Sequence, residues 1–218
     1  MKAIIKKHIV SPFLSIYRKK FIRKKIAFGE KSWYKIQTRF LCVDISESDI
    51  NINLETDDFH DYFHEVDNIY TCHTLEHVNE KNVDRFINQS FIALKKGGVL
   101  RIEVPDVDLI LEDYLSSGKY IESIAKENKN TLVDKMGYNE LYSENYIAFV
   151  GCVSCFIDYT KSTNHIPVTP LIDIFKEKLN SLKKEEFFDW LISLQTEAQI
   201  KSHGHISWYN YEKLFNKL

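Results

Sequence analysis

Cys72-His73-Thr74-Leu75-Glu76-His77 packs a thiol, two imidazoles and a carboxylate into six residues, the densest run of reactive side chains in this 218-residue chain. Histidine titrates near neutral pH and suits proton transfer. If the segment is helical, His73 and His77 share one face. In the competing reading, Glu76 and His77 bond to each other or to the backbone and only hold a turn. The same five residues fit H-x-x-E-H, the inverted zinc-peptidase pattern. That pattern needs an unbroken helix and a further acidic ligand on the next helix. Here a strand leads in, and a glycine turn and a second strand follow, so no metal is assigned. Cys152-Val153-Ser154-Cys155 is a lone C-x-x-C without a second pair and reads as buried thiols.

The elements around these residues follow from spacing. Arg39–Ile45 and Asn68–Cys72 are short apolar runs, each read as a buried strand. In residues 82–95, Val83, Phe86, Ile87, Phe91 and Leu94 fall on one helical face, and Gly97-Gly98 is expected to cap that helix in the left-handed conformation. Val99–Val104 follows as a strand ended by Pro105. Strand, helix, glycine turn and strand make a βαβ unit, hence parallel pairing with a right-handed crossover. From Val107 onward helical patterns dominate, at 107–115, 171–184, 185–200 and 208–218. The reading is an α/β core carrying a large helical insertion.

Composition narrows the classes. With 44% hydrophobic and 28% charged residues the chain is neither disordered nor fibrous, and 7 Gly and 4 Pro are few for a sandwich of many short strands. No stretch approaches the roughly 18 uncharged residues of a membrane span. Residues 9–17 are too short an apolar run, interrupted by Pro12, for a signal peptide. The four Cys are then most simply reduced, and a cytoplasmic chain is expected. Residues 1–40 hold 12 Lys and Arg against one acid, Glu30, leaving 17 basic and 30 acidic residues in the remaining 178. Val10, Leu14, Tyr17 and Phe21 fall at helical spacing beside Arg18, Lys19, Lys20, Arg23, Lys24 and Lys25. Such a basic amphipathic helix suits an anionic membrane, here the inner membrane face. The alternative is a first helix packed on the domain with its lysines solvated. The acidic body disfavours nucleic acid.

The block from Tyr70 through His77, then Phe86 to Leu94, then Lys95-Lys96-Gly97-Gly98-Val99-Leu100-Arg101-Ile102-Glu103-Val104-Pro105-Asp106, resembles the central part of class I S-adenosylmethionine-dependent methyltransferases. It is most similar to a subgroup of small predicted methyltransferases patterned S-x-H-x-L-E-H and L-K-P-G-G-x-L-R-I-x-V-P-D, often found among surface-polysaccharide genes. Gly204–Leu214 resembles that subgroup's G-H-x-x-W-Y-D-x-E-x-L segment. The resemblance implies a Rossmann-like three-layer sandwich with a mainly parallel sheet, and S-adenosylmethionine as cofactor. It implies a sugar or glycan precursor as acceptor. The division expected is an N-terminal basic helix (1–25), a methyltransferase core (26–115), a helical insertion or lid (116–202) and a C-terminal core helix (203–218). Family members continue into two further strands; this chain stops at Leu218, so either the sequence is truncated and its C-terminal strands are missing, or the sheet has about five strands with one edge needing cover.

Carried onto individual positions, the resemblance makes Gly29 the first glycine of the loop that approaches the cofactor, with Lys31 where a second glycine is usual. Asp44 would take the ribose hydroxyls; a helix cap or turn is its other reading. Asn53 stands where an acid near the adenine is usual, or is a plain turn residue. Cys72 and His73 would line the methionine side. Methyl transfer to a hydroxyl needs orientation and a base, which points to His73 ahead of His77. Asp106 faces the acceptor or caps the helix after it. His205 and Trp208, with His203 and Tyr209 beside them, line an acceptor pocket or pack in the core. Two other classes stay open: an inactive relative serving as a binding or scaffold module, and a nicotinamide-dependent oxidoreductase, which the missing G-x-G-x-x-G disfavours.

Overall fold

The computed structural model describes residues 24–30, 40–127, 144–154, 172–195, 197–202 and 204–218. These form two compact units, one running to Val104 with Lys217 and Leu218 added, the other Pro105–Asn216.

In the first unit the apolar runs become strands β1 (Lys25–Phe28), β2 (Leu41–Asp44), β3 (Ile50–Asn51), β4 (Val66–Cys72) and β5 (Leu94–Glu103). They pair in the order β3-β2-β1-β4-β5, every pair parallel. This is the sheet of a Rossmann-like α/β fold. Ile26, Ala27 and Phe28 are buried, as are Leu41, Cys42 and Val43, because central parallel strands are covered on both faces. Helix α1 (Glu80–Ala93) starts at Asn79, whose side chain accepts from the Lys81 amide. Its apolar face carries Phe86 into a cluster with Phe28 and Phe59, ring centroids 5.2 and 5.6 Å away. Burying rings of this size stabilises the layer by about 1.5–3 kcal/mol each.

The expected glycine cap on this helix is not what forms. α1 ends at Ala93, and Leu94 passes directly into extended backbone. Leu94 pairs with Val66 and Val99 with Asn68, so Lys95–Gly98 bulges from the strand. Gly97 has φ +77, and a Cβ on Gly98 would lie 2.8 Å from the Val66 carbonyl oxygen. The two glycines therefore shape a bulge in β5.

The second unit is helical: α2 (Val107–Leu115), α3 (Lys119–Glu127), α4 (Glu144–Ser154), α5 (Ile172–Ser181), α6 (Lys184–Ser193), α7 (Glu197–Ser202) and α8 (Tyr211–Phe215). Its core joins Tyr146, Phe149, Phe175, Phe187, Phe188 and Trp208. Phe175 sits between Tyr146, Phe149 and Phe187 at 4.8, 5.7 and 5.4 Å. The expected division at 115/116 moves to 104/105, since Val107, Ile110 and Leu111 of α2 bury into this aromatic core. The expected C-terminal core helix shortens to Tyr211–Phe215 and belongs to the second unit. No helix among the described residues is long and apolar enough to cross a membrane. The basic segment up to residue 23, Lys31, Cys155 and His203 lie outside the described residues.

Candidate functional site

Strand order reverses between β1 and β4, and in open parallel sheets the carboxyl ends of the strands at such a reversal leave a crevice for ligands. Gly29 follows β1 there and His73-Thr74 follows β4. The Gly29 amide donates to the Val43 carbonyl at 2.8 Å, and its φ is +75. A Cβ on Gly29 would run into Thr74 Oγ1 and Cγ2. Thr74 Oγ1 in turn donates to the Cys72 carbonyl at 3.0 Å. Only glycine lets the two strand ends close this tightly.

Asp44 ends β2 half-buried, with Oδ1 accepting from the Ile45 amide at 2.7 Å. The turn after it is fixed by buried Asp49, whose Oδ2 accepts from the Cys42 amide at 2.9 Å. Asn53 lies two residues beyond β3. Its Oδ1 accepts from the Glu55 amide at 2.9 Å, and its main-chain oxygen takes the Thr56 and Asp57 amides. Its amide donates to Asp57 Oδ2, and that bond is the first cause holding the Asp57 carboxyl below its usual range. Asn53 thus shapes a turn, and its side-chain NH2 is the one part the turn does not use.

His73 is the strained point. Its φ is +49, a left-handed conformation rare outside glycine, which costs about 1–3 kcal/mol where the surroundings impose it. The surroundings here include the ladder itself, since the His73 amide still donates to the Glu103 carbonyl at 3.0 Å. The side chain is 69% exposed, yet its Nδ1 lies 3.2 Å from Oε1 of Glu76, whose side chain is 2% exposed. A carboxylate can only accept, so Nδ1 carries the proton and Nε2 presents its lone pair. The bond to Glu76 raises the imidazole pKa against the opposing effect of burial, with the charges of Glu76 and Glu103 adding to it. Glu76 Oε2 is buried without a hydrogen-bond partner among the described residues.

His77 does not share a helix face with His73. Leu75–His77 is a single 3-10 turn, Val78 is extended, and α1 begins only at Glu80. The left-handed backbone at His73 breaks the i, i+4 relation, so the pair expected from spacing is replaced by His73 with Glu76. The zinc-peptidase pattern loses its helix for the same reason. His77 closes the turn by donating its amide to the Thr74 carbonyl at 3.0 Å.

Cys72 sits in a second network. Parallel register pairs Tyr70 with Arg101 and Cys72 with Glu103, which puts all four side chains on one sheet face. The Tyr70 hydroxyl donates to Glu103 Oε2 at 3.1 Å, and Arg101 pairs with Glu103 Oε1. Burial pushes the Cys72 thiol pKa up, with a hydrogen bond from Tyr70 opposing and Glu103 reinforcing the rise. The thiol is therefore neutral near pH 7. Burial alone would raise Glu103, but its bonds with Cys72, Tyr70 and Arg101 outweigh that and hold it ionised.

Three expected substrate residues lie in the second unit. Asp106 caps α2, accepting from the Asp108 and Leu109 amides at 3.1 and 3.3 Å, which is the capping alternative of its two readings. His205 is buried, its Nδ1 donating to the Val153 carbonyl at 2.9 Å. Trp208 donates from Nε1 to Asp189 at 2.7 Å, packs on Phe188 at 5.4 Å and carries Lys213 Nζ 4.1 Å above its ring. The indole N–H and ring are thus engaged within that unit.

The sequence reading did not single out Thr74, Tyr70, Arg101 and Glu103, nor the bond from Glu76 to His73. Alternation at 70/72 and 101/103 on neighbouring strands was the available signal. No protein-family model, curated protein or solved structure matches the chain.

Proposed function

We propose that this chain is an S-adenosylmethionine-dependent methyltransferase that O-methylates a sugar or surface-glycan precursor. One observation carries the reading: the strand order reverses between β1 and β4, with Gly29 and the His73–Glu76 pair at that point and Asp44 at the tip of β2. Several features of this edge fit the cofactor. Gly29 puts no side chain into the crevice, because the direction a Cβ would take is filled by Thr74. Asp44 offers a carboxylate for two ribose hydroxyls. Ionised Glu103 suits the neighbourhood of a cation, and a neutral Cys72 adds no competing nucleophile. Asn53 is the weaker fit, since its turn leaves only the amide donor.

When bound, the cofactor supplies an electrophilic methyl group on a sulfonium. The chain's own residues do the rest. Glu76 fixes the His73 ring so that Nε2 points its lone pair outward, and Nε2 takes the proton the acceptor hydroxyl loses. The charge arising on the imidazole is offset by the Glu76 carboxylate at 3.2 Å. General-base assistance of this kind contributes about 10²–10⁴ in rate. The basic segment 1–25 would hold the enzyme against an anionic inner membrane face.

Calorimetric titration with S-adenosylhomocysteine tests the reading. Wild type should bind, and Asp44→Ala should lose at least tenfold in affinity with its circular dichroism unchanged, since hydrogen bonds to a charged group contribute about 1.5–3 kcal/mol. No binding by folded full-length protein would leave a binding or scaffold module in place of an enzyme.

A further inference from the structure

Parallel sheets are ordinarily covered on both faces. On β4 and β5 one face obeys this, with Ile69 and Thr71 both fully buried. The other face carries Tyr70, Cys72, Val99, Arg101 and Glu103, and among the described residues it is only partly covered: Val99 is 53% exposed and the Arg101 side chain 71%. A polar, open strip in such a sheet needs a reason. It ends at the carboxyl edge, where the Glu103 carbonyl accepts the amide of His73.

We propose that Tyr70, Arg101 and Glu103 form the binding strip for the methyl acceptor, and that it recognises adjacent hydroxyl groups of a small polyol. As a methyl-acceptor site this rests on the methyltransferase reading above. The argument is one of donors and acceptors. A carboxylate has about four acceptor positions. Tyr70 and Arg101 engage one oxygen each at Glu103 and the Cys72 thiol adds a third bond, which leaves about one acceptor position unused. Guanidinium has five N–H donors, and most of Arg101 is in solvent. An acceptor and several donors set side by side match a hydroxyl, which is both. The strip's formal charge sums to zero, so a cation meets Arg101 and an anion meets Glu103; a neutral polyol meets neither penalty. Arg101 lies 5.7 Å over the Tyr70 ring and the Phe40 ring 6.1 Å from it, so the apolar surface beside the polar pair is that of Val99, 53% exposed.

Saturation-transfer NMR with methyl α-glucopyranoside and methyl α-mannopyranoside, with and without S-adenosylhomocysteine, tests this. Transfer to at least one glycoside is expected for wild type. Glu103→Gln and Arg101→Gln should each weaken it about tenfold, and Arg101→Gln should leave S-adenosylhomocysteine affinity within about twofold. The Arg101 variant is at an exposed position and guards against misfolding of the other. No transfer with wild type, or undiminished transfer with both variants, overturns the strip. Glycoside binding without any S-adenosylhomocysteine binding overturns the methyltransferase reading and leaves the strip standing.

Discussion

His73 leaves 69% of its side chain in solvent and sits on left-handed backbone, its ring held by a buried carboxylate. His205, in the second unit, is 7% exposed and gives its Nδ1 proton to the Val153 carbonyl. Their surroundings differ in the same sense. Around His73 there is left-handed backbone, and Glu76 Oε2 is buried without a hydrogen-bond partner among the described residues. Around His205 there is an aromatic core, with the indole N–H of Trp208 paired to Asp189, although Gln195, which donates to the His205 carbonyl, also keeps a buried Oε1 without a partner among the described residues. What separates the two is backbone strain beneath an exposed side chain, which costs stability and persists where other requirements hold it. The first histidine is strained and open and the second packed, although both stand in a suggestive motif.

The largest expected effect lies in the packed region. Phe175→Ala removes the ring that Tyr146, Phe149 and Phe187 close around, at a cost of about 3–5 kcal/mol. Urea unfolding followed by tryptophan fluorescence reads it directly, since Trp208 lies in this core and Trp190 packs against it. A loss under 1 kcal/mol would mean that this core is loosely packed and that the contrast drawn here is false.

How much of this contrast the sequence carries depends on what kind of interaction sets each feature. Burial sets the strands, and apolar runs at 39–45 and 68–72 announce β2 and β4; parallel pairing followed from the helix between β4 and β5. The helix stop at Gly97-Gly98 looked equally plain but misleads, because Leu94 pairs with Val66 before the glycines arrive and turns them into a bulge. His73 and His77 looked like a helical pair because spacing carries no information about a left-handed residue at the first position. The Tyr70–Arg101–Glu103 strip depends on cross-strand register, which the alternation within each strand leaves unset. The boundary lies before α2 and not after residue 115 because the aromatic cluster of the second unit takes the apolar face of α2, and no local pattern in 107–115 says which cluster will take it.

Next in size are the two histidines themselves. His205→Ala leaves a buried carbonyl without its donor and should cost about 1–3 kcal/mol. His73→Gly relieves the strain at φ +49 by about 1 kcal/mol but takes the donor from buried Glu76, so with Glu76→Gln already in place it should stabilise by about 1 kcal/mol, while in the wild-type background methyl transfer falls about 10²-fold or more. Destabilisation by His73→Gly in the Glu76→Gln background equal to that by His205→Ala in thermal melts would show that His73 is a packing residue like His205.

The smallest effect sharpens the comparison most, because it isolates the His73–Glu76 bond. Folding raises the His73 pKa through Glu76, so the folded state holds this proton more tightly than the unfolded chain. The resulting stability is fully present below the unfolded value of about 6.5 and is lost as pH rises through the higher folded value. With most of the imidazole in solvent, screening keeps the gain under about 1 kcal/mol. Urea midpoints at pH 5.5 and pH 8.5 for wild type and Glu76→Gln cancel every other titration common to both. Wild type should lose more stability than the variant over that interval. An identical loss would mean that Glu76 does not hold the imidazole in solution, and the outward lone pair on which proton removal depends would have no support.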